Sequence, residues 1–69
     1  MISLLLQNSA GQMAVGLGEG DRLIFDSSRD ADLVGLRNVQ AHVQAGLEHT
    51  GKMMSDVGCV FVDIGPGGL

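Results

Sequence analysis

Val57-Gly58-Cys59-Val60-Phe61-Val62-Asp63-Ile64-Gly65-Pro66-Gly67-Gly68-Leu69 is the stretch that decides how this chain folds. Cys59 to Ile64 is rich in β-branched and aromatic residues, interrupted by Asp63. It predicts a buried strand over 57–64. Gly65 to Gly68 then breaks the strand, as a loop that presents backbone N–H groups to an anion or a close partner would. In a strand-loop-helix unit the helix would start where Leu69 stands, so the expectation is of an incomplete unit.

Upstream of that strand, Leu33, Leu36, Val39 or Gln40, Val43 and Leu47 recur every three or four residues. Polar residues lie between them, which predicts a one-sided helix over 32–49, capped by Asp30 or Asp32. His49 in the last turn and Gly51 at the left-handed position end it. Gly35 and Gly46 each weaken a helix by about 1 kcal/mol relative to alanine. Each marks either a close helix contact or simple tolerance.

Three further strands are predicted before the helix, over 2–7, 12–17 and 22–26. The run Leu4-Leu5-Leu6 suggests a first strand covered on both faces. Asn8-Ser9-Ala10-Gly11 and Gly18-Glu19-Gly20-Asp21 read as reversals. Connections this short imply antiparallel neighbours, whereas the helix is long enough to return the last strand parallel to one already in place. The result is an α/β class, β-β-β-α-β, with a mixed sheet and one main helix. One sheet face lacks a cover.

With 69 residues the chain makes at most one small domain, and such a domain has a marginal core. Its single cysteine, Cys59, permits no internal disulfide. The apolar neighbours of Cys59 predict a buried reduced thiol, and with it a reducing compartment. Eight acidic residues against four basic ones leave a net charge of −4. Arg22, Arg29, Arg37 and Lys52 are scattered, so this segment has no basic patch for direct nucleic-acid binding. The N-terminus lacks a positive region and a long apolar run, and no stretch approaches a membrane span. The expected setting is cytoplasmic.

The order of elements, the turn after the first strand and the ending Ile64-Gly65-Pro66-Gly67-Gly68-Leu69 together resemble one family. The chain is similar to the N-terminal part of the TsaB (YeaZ) family, needed for the threonylcarbamoyladenosine modification of bacterial tRNA. The family loop reads roughly G-P-G-[S/G]-[F/L]-T-G-x-R, and Gly65 to Leu69 match its first half. Its first strand and turn read as an apolar run followed by Asp-Thr-[Ser/Ala], where this chain has Asn8, Ser9 and Ala10. The likeness spans essentially the whole chain, but only about a third of a typical member. The resemblance implies an incomplete actin-like (ribonuclease H-like) subdomain. The histidine that members carry near the start of the first long helix is missing from Leu33-Val34-Gly35-Leu36.

The candidate residues follow. Asn8 and Ser9 occupy the place where an actin-like ATPase has a carboxylate. An asparagine is a poor magnesium ligand and no general base, so building a turn is the first reading and ligand contact the second. Gly65, Gly67 and Gly68 read first as a tight strand exit, then as a surface for a partner or as a phosphate contact; the Lys-Ser/Thr of a P-loop is absent. Asp63 shares a strand side with Cys59 and Phe61, and either reaches solvent or binds a ligand. His42 and His49 stand two helical turns apart, about 10 Å, which is too far for one metal. With one cysteine, no zinc site is expected.

In the family, small apolar helices of this subdomain form the pairing surface. That implies weak partner-binding candidates at Leu36, Val39, Ala41, Val43, Ala45 and Gly46, with Leu36, Val39 and Val43 also readable as core. The resemblance implies a non-catalytic scaffold or activator that pairs with a TsaD-like catalytic subunit. A TsaE-like ATPase and a homodimer are further partners. No cofactor is expected, and no catalysis by this chain. Two alternatives stand beside it: a fragment of a divergent actin-like sugar or acetate kinase, and a small α/β interaction domain unrelated to tRNA modification.

Overall fold

Apolar side chains alternate along the first strand so that Ile2 and Leu4 enter one common core with Val15 and Leu17 of the second. The computed structural model describes residues 1–9 and 12–64. Its main elements in chain order are β1 (Ile2–Ser9), β2 (Gln12–Glu19), β3 (Arg22–Asp26), α1 (Val39–Thr50) and β4 (Val57–Ile64). Single 3₁₀ turns cover Ser27–Arg29 and Met54–Asp56.

Among the described residues the four strands form one mixed sheet in the order β3-β2-β1-β4. β1 runs antiparallel to β2, with Leu4 opposite Leu17 and Leu6 opposite Val15. It runs parallel to β4, with Leu4 beside Val60 and Leu5 beside Phe61. β2 pairs antiparallel with β3, and the register slips between Leu17 and Gly18. The expected α/β class, mixed sheet and single main helix are therefore present.

The helix lies over β2 and β3. Ile2, Leu4, Val15, Leu17, Phe25 and Leu33 are buried in the core, and Val43, Ala45 and Leu47 of α1 pack against them. Full burial of such side chains contributes about 1.5–3 kcal/mol each. Gly46 is buried too, because the helix backbone comes close to the Phe25 ring there.

The helix is shorter than the predicted 32–49. It begins at Val39, with the Asn38 side chain accepting from the Ala41 N–H. Neither Asp30 nor Asp32 caps it. Instead the Asp30 carboxylate accepts from the Asp32 N–H, and the Asp30 carbonyl accepts from Leu33 and Val34. Gly35 then turns the chain at φ +93, a left-handed conformation that removes it from any helix. The C-terminal end is as expected: Gly51 has φ 71, and Lys52 donates to the Leu47 carbonyl.

Other expectations are corrected at the sheet. β1 and β2 are each two residues longer than predicted, so Asn8 and Ser9 belong to a strand ladder, not to a turn. The first strand is covered on the α1 face, while Leu5 on the other face is only half-buried. The strand over 57–64 forms as predicted but is not buried. It stands at the end of the strand order and α1 packs elsewhere, so Cys59 is an exposed thiol. The connection before it is braced by Asp56, whose carboxylate accepts from the Met53 N–H at 2.8 Å.

Candidate functional site

The dominant feature is apolar surface on β4. Val60, Phe61 and Val62 are 55%, 57% and 63% exposed. Consecutive strand residues point to opposite faces, so this run is uncovered on both sides of the sheet. β-branched and aromatic residues make a good strand through pairing with β1, but pairing does not hide their side chains. Scattered apolar residues on a surface need no explanation, but here three in succession on one strand are exposed.

The sheet face opposite α1 continues that surface. Leu5, Leu23 and Phe61 border a shallow groove of about 270 Å³ with Ser3, Gly18 and Arg22. Gly18 in its lining carries no side chain, and Leu23 lies over Gly16 beside it. Asp21 and Arg22 add charge to the lining.

A second feature lies inside the fold. His42 and Ser27 are fully buried. Nδ1 of His42 is 2.7 Å from the Ser27 Oγ, and Nε2 is 2.9 Å from the Leu36 carbonyl oxygen. The Ser27 Oγ also accepts from the Val15 N–H at 2.8 Å. Every hydrogen-bonding atom of the two side chains is thus engaged, as buried polar groups require. The pair has the residue types of a serine–histidine nucleophile, yet the hydroxyl is buried and Nε2 is held by a carbonyl. Its role is structural.

Sequence reasoning missed this network. Ser27 stands in the polar stretch Ser27-Ser28-Arg29-Asp30, which carries no local sign of burial. One signal existed: His42 lies one residue before Val43 on the apolar side of the helix. No spacing rule linked it to Ser27, because the tertiary fold brings them together.

The remaining candidates are dispersed. Asn8 is exposed on β1, where it pairs with Met13 and Ile64. Ser9 pairs with Gln12 in the same ladder. Asp63 is exposed beside Gln7, in keeping with the solvent reading. Gly65, Gly67 and Gly68 lie outside the described residues. His49 is exposed, with its ring 5.6 Å from that of Phe25.

The helix candidates divide. Leu36 lies before the helix and is 46% exposed, while Val39 at its first turn is 42% exposed. Ala41, Val43 and Ala45 are half-buried, and Val43 and Ala45 pack on the core. Gly46 faces the sheet, which corrects its assignment to an outward contact.

Among the described residues, no group of three His, Cys, Asp or Glu side chains is placed to hold a metal ion. No helix among them is long and apolar enough to cross a membrane. No family model, curated protein or solved structure matches this chain.

Proposed function

We propose that this chain is a non-catalytic scaffold or activator subunit in the N6-threonylcarbamoyladenosine modification of tRNA, acting by contact with a TsaD-like catalytic protein in the cytoplasm. The observation that carries the reading is the exposed apolar run Val60-Phe61-Val62, which a protein partner would remove from water. The β-β-β-α-β order and mixed sheet support it, because they suit the opening unit of an actin-like, ribonuclease H-like subdomain. Asn8 supports the non-catalytic assignment, since an amide neither carries charge to magnesium nor accepts a proton as a general base. A TsaE-like ATPase is the further member of such an assembly.

The test mixes the chain with TsaD-like and TsaE-like proteins. Light scattering after size exclusion reads complex formation, and mass spectrometry of nucleosides reads the modification. The expected result is a complex, with modified adenosine formed only when this chain is present. A TsaD-like protein that stays unbound and works equally well alone overturns the proposal.

A second reading follows from the same strand. β4 ends the strand order among the described residues, so its backbone suits pairing with β4 of a second copy. Sedimentation of the chain alone separates the two: a homodimer favours the second reading, and a monomer favours a different partner.

A further inference from the structure

The residues from Asp30 to Asn38 form a strap between the first 3₁₀ turn and α1. Within the strap, Leu33 and Val34 donate to the Asp30 carbonyl, and Leu36 donates to that of Leu33. Leu33 and Leu36 tie the strap to the body. Leu33 is 7% exposed in the core, and the Leu36 carbonyl meets Nε2 of His42.

The proton positions at this second tie follow from chemistry. A carbonyl oxygen has no hydrogen to give, so Nε2 of His42 donates to Leu36. The Ser27 Oγ already accepts from the Val15 N–H, and its own hydrogen points to Nδ1 of His42. A neutral imidazole with its hydrogen on Nε2 satisfies all three bonds at once. A hydrogen on Nδ1 would displace that of Ser27 from its acceptor, in a site buried from water.

We infer that His42 is a latch: a neutral Nε2–H imidazole that fastens the Asp30–Asn38 strap to β2 through Ser27. The strap is a separate opening unit, and the sheet and α1 persist when it lifts. Closed, it carries Val34 and Leu36 at the surface, where Val39 at the start of α1 is exposed too. The latch thereby sets the position of exposed apolar side chains. This inference does not depend on which partner, if any, they meet.

The experiment uses the full chain labelled with ¹⁵N. Long-range proton–nitrogen correlation identifies the protonated ring nitrogen of His42, and amide hydrogen exchange compares the strap with the sheet. The expected result is hydrogen on Nε2 alone, with the Leu33, Val34 and Leu36 amides opening together and faster than those of Leu5 and Leu17. In Ser27→Ala, strap exchange should rise about tenfold relative to the sheet, the effect of losing one buried hydrogen bond. Hydrogen on Nδ1 overturns the inference, as does strap exchange at the rate of the sheet in the wild-type chain. Should Ser27→Ala fail to fold, these two wild-type measurements decide.

Discussion

Gly46 brings the backbone of α1 so near Phe25 that a Cβ at residue 46 would lie 2.7 Å from the ring Cδ2. The same Cβ would lie 3.1 Å from the Leu17 Cδ1. The helix therefore rests on the β2–β3 half of the sheet through a glycine, against its own helical propensity.

Gly46→Ala sets these two effects against each other. Alanine gains about 1 kcal/mol of helix propensity, while overpacking a core costs about 1–3 kcal/mol. Phe25 is a rigid ring and Leu17 is fully buried, so the steric term wins. Urea denaturation should show a net loss of about 1 kcal/mol. Gly46→Ala combined with Phe25→Leu should lose less than the sum of the two single variants.

Ser27→Ala removes the acceptor of the Val15 N–H and the partner of His42 Nδ1. Leaving a buried donor unsatisfied costs about 1–3 kcal/mol. Ser28→Ala is the control, because Ser28 donates to Asp26 at the exposed surface. Its denaturation midpoint should move far less.

Asn38→Ala tests where the helix starts. Losing an N-cap costs about 1 kcal/mol, and the Asn38 side chain meets the Ala41 N–H. Asp32→Ala should be nearly silent, since the exposed Asp32 side chain caps nothing in α1. The opposite ranking in thermal denaturation would return the helix start to residue 32.

Val62→Lys places a charge where the side chain is 63% exposed. Stability should change by no more than about 1 kcal/mol, the span of strand propensities. Binding to a partner over β4 should fall at least about tenfold, since lysine is disfavoured within a contact core. Unchanged binding would place the contact elsewhere on the chain.

Cys59→Ser should leave stability nearly unchanged, because the thiol is exposed. In the native chain, iodoacetamide should modify Cys59 without denaturant, as followed by intact mass. Protection until the chain unfolds would restore the buried thiol that the apolar neighbours suggested.

The strand reading worked where local pattern decides. Arg22–Asp26 and Val57–Ile64 have the predicted bounds, because composition and flanking breakers act within a few residues of each position. Gly51 was legible for the same reason, as the left-handed end of a helix. The helix start was not. Leu33 and Leu36 sit at helical spacing, but Asp30, Gly35 and Asn38 favour a turn and a later cap.

Residue types and their spacing determined the number, kind and order of the elements, since propensity and alternation are local properties of the chain. Tertiary structure alone decided what each apolar residue faces. Val60, Phe61 and Val62 read as core and are exposed, because α1 settles on β2 and β3. Ser27 lies in a polar stretch of sequence and is buried, because the same placement brings His42 within hydrogen-bonding distance. Burial depends on which surfaces meet across the fold, and no periodicity along one strand or helix encodes that meeting.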